Sequence, residues 1–266
     1  MKQNRFREAL AEGRIPVGHM VWEFGTRGMA KILEAADLDF VFLDMEHSAF
    51  SIERVADLIA WLKATPVAPF VRVPQGHYHF LARVMDAGAL GVMVPNVETA
   101  EHAREIVNAV KYAPQGHRGV GIGTSHTDFL NPDPSSYFQA INEVSTIICQ
   151  IESMKGVENS RAIAAVPGVD VLWIGHFDLT QSMGIPGQFD DPRFLDSLKH
   201  VIAAAREQGK AVGLLPSNME QADKWLALGV NAIAWQIDSA LYRIALQSAV
   251  KQLRERISGA GQAAGK

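Results

Sequence analysis

The feature that most narrows the fold of this chain is an alternation repeated eight times. Short, almost wholly apolar runs rich in β-branched and aromatic residues are separated by longer stretches whose apolar residues recur at helical spacing. The runs are IPVGHMV (15–21), FVFLD (40–44), APFVRV (68–73), LGVMVP (90–95), TIICQIE (146–152), DVLWIG (170–175), AVGLL (211–215) and AIAWQI (232–237). Because they are apolar throughout rather than alternating, they read as strands covered on both faces, as parallel strands are. Between them, Val55, Leu58, Ile59 and Leu62 stand at i, i+3, i+4 and i+7, and Leu195, Leu198, Ile202 and Ala205 form a similar stripe. Asp191 before Pro192 reads as a helix start with proline in the first turn, and Ser217 with Glu220 as a capping box.

Eight strand–helix units in roughly 250 residues match the length and rhythm of a (β/α)8 TIM barrel, a closed parallel eight-stranded barrel. One barrel domain is expected over residues 1–257, followed by a flexible small-residue tail over 258–266. A doubly wound sheet is the competing architecture, but its dinucleotide form needs a glycine fingerprint after the first strand, and WEFGTRG does not supply one. From Tyr112 to Ser135 the chain is rich in Gly and Pro and has no period. Such a loop reads either as a surface excursion or as a lid at the barrel mouth. Gly119, Gly121 and Gly123 lack the lysine and the strand–turn–helix setting of a phosphate loop.

Composition excludes several functions. Of 266 residues 48% are hydrophobic and 20% charged, which supports a buried core. Lys and Arg total 25 against 29 Asp and Glu, a net charge of −4, so no basic surplus points to nucleic acid or an anionic membrane. No run approaches the roughly 20 apolar residues of a membrane helix. The lone Cys149 and the start MKQNRFREAL, which lacks a signal-peptide core, suggest a cytoplasmic protein.

In a (β/α)8 barrel the chemistry sits at the carboxyl ends of the strands. There the chain carries Asp44, Glu46 and His47; Arg72; Gln150 and Glu152; and Gly175, His176, Phe177 and Asp178. Glu152 and Asp178 lie one strand–helix unit apart, at neighbouring strand ends. Two converging carboxylates suit a hard divalent ion that leaves its remaining positions to water and a chelating substrate. The alternative is that each carboxylate caps the helix that follows it. Arg72 ends a buried strand and needs an anionic partner, either a substrate or an internal ion pair with Asp44 or Glu46. His47 beside Asp44 reads as an oriented acid/base pair, or as an exposed loop histidine. His77 and His79 do not share a helical face, and Cys149 reads as core. Lys63, Lys111, Lys155, Lys199 and Lys210 fall in helices or at strand beginnings, which disfavours imine chemistry.

FVFLDMEHS, VRVP, GVMVPNVET, YAPQGHRGVG, Ser125-His126 with a following YF, CQIES and WIGHFDLT with its MG occur in one order along nearly the whole chain. Together they resemble the metal-dependent class II pyruvate aldolases of the HpcH/HpaI family. The resemblance implies a homohexamer, a trimer of dimers exchanging last helices, and a divalent ion (Mg2+, Mn2+ or Co2+) held by Glu152 and Asp178. It implies Gln150 beside the metal and pyruvate, Arg72 on the enolate oxygen, and Asp44 with His47 as the acid/base pair. Gly175 and Phe177 occupy the turn that holds the pyruvate carboxylate; Asp86 stands near a neighbouring subunit's site and Leu215 shapes the aldehyde pocket.

Two departures from the family pattern stand out: Met45 where glycine is common, and His176-Phe177 within the usual GPxDL. Both are expected to alter the pocket near the aldehyde. The expected reaction is reversible cleavage of a 4-hydroxy-2-oxo acid to pyruvate and an aldehyde. Oxaloacetate decarboxylation, CoA-thioester cleavage by the same enolate chemistry, and a non-catalytic oxo-acid-binding barrel are the alternatives. A preference for acidic aldehydes would implicate cationic groups such as Arg118 or His126.

Overall fold

A computed structural model describes residues 2–263, with the side chains of 2–258. Eight strands, β1 (Val17–Val21), β2 (Phe40–Asp44), β3 (Ala68–Arg72), β4 (Gly91–Val94), β5 (Thr146–Ile151), β6 (Val171–Ile174), β7 (Ala211–Leu214) and β8 (Ala232–Ile237), pair in chain order and close on themselves as a parallel barrel. Each expected run contains its strand, most of them trimmed by one or two residues at an end. The doubly wound alternative is thereby excluded, since β8 pairs with β1.

Strand periodicity decides what faces inward. Phe40 and Phe42 of β2, Ala68 and Phe70 of β3, Ile148 of β5 and Trp173 of β6 fill the barrel interior. Val41, Leu43, Val71, Cys149 and Leu172 join the layer between strands and helices. Counting onward by twos, Asp44, Arg72, Gln150 and Glu152 continue the inward set at the upper rim, and all four are buried. The interior is tightly filled: a side chain on Gly213 would run into the Trp173 ring. Its lower end is plugged by Phe6 from the helix Arg5–Ala11, edge-on to Phe40 at 5.0 Å and to Phe70 at 5.2 Å.

The helix Pro192–Glu207 begins as expected, with Asp191 accepting from the N–H of Arg193. The capping box at Ser217 is off by one residue: Asn218 is the N-cap and accepts from Gln221, and Gln221 in turn holds the Ser217 N–H. The last helix runs Asp238–Ala263 and so extends through most of the segment read as a tail; residues 264–266 lie outside the described residues. Among the described residues no helix is long and apolar enough to cross a membrane.

The Tyr112–Ser135 loop is not a lid. It leaves the C-terminal end of the helix Ala100–Val110, at the far end of the barrel from the strand carboxyl termini, and forms a short turn at Ser125–Thr127. It then lies against outer elements: the Gly119 N–H donates to Tyr78 Oη (2.8 Å), and Lys63 Nζ reaches Asp128 (2.6 Å). None of its residues lines the cavity at the barrel mouth.

Candidate active site

A cavity of about 480 Å³ opens at the carboxyl ends of the strands. His47, Arg72, Gln150, Gly175, Phe177, Asp178 and Leu215 all line it. Asp44 and Glu152 lie one layer beneath, touching Arg72 and Gln150 respectively. The cavity is therefore floored by residues that four different strands deliver by the same two-residue period.

On the β2–β3 side the register places Asp44 beside Arg72. Arg72 Nε donates to Asp44 Oδ1 at 2.6 Å, and its Nη1 lies 3.2 Å from Glu46 Oε2. Both internal partners considered for Arg72 are thus engaged. Among the described residues its buried Nη2 has no partner, and the guanidinium sits 5.7 Å from the Trp22 ring centroid. Asp44 also accepts from the backbone N–H of Glu46 (3.2 Å) and of His47 (3.0 Å). It does not hold the imidazole: the His47 ring is half-exposed, edge-on to Trp22 at 5.7 Å, with Nε2 3.8 Å from Glu46 Oε2. The Asp44–His47 relationship is one of loop anchoring, because a three-residue turn returns the backbone, not the side chain, of His47 to Asp44. Burial raises the Glu46 carboxyl above its ordinary value, with Arg72 the main counterweight.

Glu152 dominates the β5–β6 side. Its Oε1 accepts the N–H of Asn96 at 2.7 Å, where Asn96 takes a left-handed φ of 54°. Its Oε2 accepts from Gln150 Nε2. Burial pushes the Glu152 carboxyl up to about 7; the Asn96 bond opposes this, and the nearby Glu46 and Asp178 charges reinforce it. Glu46 also feels Asp178, so three carboxylates act on one another across this corner. Gly175 makes room for them, since a Cβ there would strike Glu152 Oε2 and Gln150 Nε2. The helix His176–Ser182 starts at this point with no side-chain cap and with Asp178 in its first turn.

These donors suit a hard divalent cation. Among the described residues no three His, Cys, Asp or Glu side chains gather round one point; Asp178 lines the cavity and Glu152 lies beneath it, near enough that the Asp178 charge acts on Glu152, and the buried Gln150 Oε1 has no partner. An oxygen-only set built on two carboxylates, completed by solvent and substrate, is Mg2+-like chemistry. A positive charge there would also offset the burial that raises Glu152 and the smaller repulsion from Glu46 and Asp178 that adds to it.

Asp86 is not at this cavity in its own chain. It lies in the helix Tyr78–Ala87, ion-paired with the buried Arg118 and 4.0 Å from His126 Nε2. Arg118 stacks 4.7 Å from the Tyr112 ring centroid, and His126 bonds Tyr137 Oη (2.7 Å) and the Gly121 carbonyl (2.8 Å). Neither Arg118 nor His126, the two groups considered for an acidic aldehyde, lines the cavity of its own chain.

Other residues line the cavity without having been foreseen. Trp22, Ser217, Gln236, Ala240, Arg243 and Ile244 complete its β7–β8–β1 wall. Gln236 adopts a left-handed φ of 56° where the β1–β8 register shifts, and its amide donates to the Ser217 carbonyl. Buried Asp238 ties this wall together by accepting from the N–H groups of Trp22 (3.0 Å), Glu23 (3.0 Å) and Phe24 (2.8 Å). A two-residue count from Ala232 and Ala234 finds Gln236; only the fold brings Arg243 there.

A family model described as HpcH/HpaI aldolase/citrate lyase matches residues 20–245. A 5-keto-4-deoxy-D-glucarate aldolase of Citrobacter koseri is 34% identical over 245 residues, 92% of this chain and 94% of that protein. A hydroxypyruvate/pyruvate aldolase of Deinococcus radiodurans is 34% identical over 258 residues, 95% of this chain and 91% of that protein. The crystal structure of an HpcH/HpaI aldolase from Desulfitobacterium hafniense is similar with a TM-score of 0.89 at 32% identity, covering 94% of this chain and 96% of that one.

Proposed function

The chain belongs to the HpcH/HpaI aldolase/citrate lyase family, and on that premise we propose that it is a divalent-cation-dependent aldolase. It reversibly cleaves a 4-hydroxy-2-oxo acid to pyruvate and an aldehyde. One observation carries this reading: Arg72, whose buried Nη2 has no partner among the described residues, lines the same cavity as Asp178, with Glu152 beneath.

Glu152 and Asp178 would hold the cation, with Gln150 beside it; when bound, the ion supplies Lewis acidity that favours the pyruvate enolate over the ketone. The chain's own groups do the rest. As the C3–C4 bond breaks, its electron pair forms the C2–C3 double bond and the carbonyl π pair moves to the keto oxygen, where Arg72 donates to the developing charge. Asp44 and Glu46 fix the guanidinium from behind, so it need not reorganise. The free N–H groups following Gly175 orient the pyruvate carboxylate, with Phe177 closing over them. His47, at the mouth, accepts the proton leaving the 4-hydroxyl group; Asp44 serves it by shaping its loop. Leu215 packs against the aldehyde half.

The assembly on this reading is a cytoplasmic homohexamer in which the last helix docks on a neighbouring copy and Asp86 approaches that neighbour's site. Exposed Leu241, Ile244, Leu246, Val250, Leu253 and Ile257 on the last helix support it. Light scattering at micromolar concentration should give a six-chain mass.

The function is tested by stripping the purified protein with a chelator and following pyruvate release from 4-hydroxy-2-oxo acids. Release should disappear and return with Mg2+, Mn2+ or Co2+. Activity indifferent to the chelator would contradict the cation's role.

A further inference from the structure

Where the barrel closes, β8 carries one residue more than β1. The register runs Val17 with Ile233 and Gly18 with Ala234, but Met20 then pairs with Ile237 rather than Gln236. Gln236, within this bulge, has a left-handed φ of 56°, a backbone conformation that residues other than glycine adopt only at a cost. A bulge beside an active site re-aims the side chains that follow it. Here it sets Ile237 level with Met20, so Asp238 opens the last helix level with Val21, one residue ahead of Trp22.

From that place the buried Asp238 carboxylate accepts from three successive N–H groups of the loop after β1, those of Trp22, Glu23 and Phe24. Asp238 itself does not line the cavity, whereas Trp22 does. The Trp22 ring meets two groups of the site, the Arg72 guanidinium and the edge of the His47 imidazole, each at 5.7 Å. These two are held unequally. The Arg72 side chain is buried and clamped by Asp44 at 2.6 Å and Glu46 at 3.2 Å. The His47 side chain is 48% exposed, and Glu46 Oε2 stands 3.8 Å from its Nε2, beyond hydrogen-bond reach. Asp44 holds the His47 backbone but not the ring.

We infer that Asp238 is a positioning residue for the reaction: by latching the loop after β1 it seats Trp22, and the Trp22 ring orients the His47 imidazole. The inference rests on the aldolase reading, in which His47 accepts the proton leaving the 4-hydroxyl group. Proton transfer demands a narrow range of distance and direction, and a displacement of about 1 Å in a positioned group can cost about a hundredfold in rate. When the latch is weakened, Arg72 keeps both of its carboxylates and the cation corner lies on the far strands, so substrate binding is largely preserved. The loss falls on the step that needs the imidazole in place, and therefore on kcat rather than KM.

The test follows pyruvate release from a 4-hydroxy-2-oxo acid by the cation-loaded wild type, Asp238→Asn, His47→Gln and the double variant, at a temperature where urea titration shows all four folded. Asp238→Asn should lower kcat about tenfold while KM changes less than about twofold. In the His47→Gln background the same substitution should cost less than about twofold, because its effect must pass through a ring that is no longer there. Trp22→Leu leaves the backbone N–H groups on Asp238 and should reproduce the fall in kcat; it decides the matter if Asp238→Asn does not fold. A wild-type kcat in Asp238→Asn or in Trp22→Leu, or an equal loss with and without His47, overturns the assignment. Absence of pyruvate release by the wild type would overturn the aldolase reading instead. The latch is then judged without turnover: diethyl pyrocarbonate should modify His47, followed by peptide mass spectrometry, about threefold faster or more in Asp238→Asn than in the wild type, and equal rates would overturn it.

Discussion

Gly175 and Glu152 occupy each other's space: a Cβ on Gly175 would collide with Glu152 Oε2. The backbone at Gly175 has an ordinary negative φ of −81°, so the restriction is steric rather than conformational. A methyl group there must displace the carboxylate that the Asn96 N–H and Gln150 amide hold in place. Gly175→Ala should therefore weaken Mn2+ binding about tenfold to a hundredfold, the range seen when a ligand's supports are disturbed, and lower pyruvate release in parallel. The melting temperature should stay near that of the wild type. Calorimetric titration with Mn2+ checks the first claim, and unchanged affinity would remove Glu152 from the cation's coordination.

Asp44 answers three donors: Arg72 Nε and the N–H groups of Glu46 and His47. Removing it leaves a buried guanidinium with Glu46 alone. Breaking one side of a buried ion pair costs about 3–5 kcal/mol, and Asp44→Ala should approach that figure in urea denaturation. Asp44→Asn keeps an acceptor for Arg72 but not the charge, so it should retain more stability while kcat still falls. A wild-type kcat in Asp44→Asn would mean that Arg72 needs no carboxylate behind it.

Much of this site can be read from the chain because strands have a period of two. Once Phe40 and Phe70 are known to face inward, Asp44 and Arg72 follow, and the same count from Ile148 reaches Gln150 and Glu152. What resists such reading depends on distance in sequence. Asp86 turns to Arg118 because a long loop folds back on its helix. Asp238 serves N–H groups 214 to 216 residues earlier because the barrel closes. The Tyr112–Ser135 segment misleads for a related reason. Its composition is that of a site loop, but it belongs to the connection from the helix Ala100–Val110 through the helix Pro134–Val144 to β5, and helix-to-strand connections lie at the opposite end of a barrel from the chemistry.

Asp238 latches the loop that carries Trp22, and Trp22 packs on both Arg72 and His47. Asp238→Ala should destabilise the protein by about 2–3 kcal/mol, the order expected for charge-assisted bonds lost from a buried carboxylate. It should also speed amide hydrogen exchange at residues 22–24 before any global change appears. Asp238→Asn, which keeps one acceptor oxygen, should fall between. If exchange at 22–24 were unaltered in Asp238→Ala, other contacts would have to hold the loop.

Cys149 offers a clean report on opening of the barrel because it is the only cysteine in the chain and is fully buried on the outward face of β5. Burial pushes its thiol up to about 12. At pH 8 the folded protein therefore presents almost no thiolate, and since the thiolate is the nucleophile, iodoacetamide should label Cys149 only at the rate of unfolding or deep local opening. The sign of the coupling to stability follows from the same shift. An unfolded thiol ionises near 9, whereas the folded one stays protonated until near 12. The folded state consequently binds more protons across that interval, and its stability falls as pH rises through it. Below 9 both states are protonated and Cys149 contributes no pH dependence. The wild type should lose stability relative to Cys149→Ala by about 1.4 kcal/mol per pH unit within the window. Parallel stability curves for the two proteins between pH 9 and 10.5 would show that the buried thiol ionises as readily as a free one, and fast labelling at pH 8 would make the same point by a separate route.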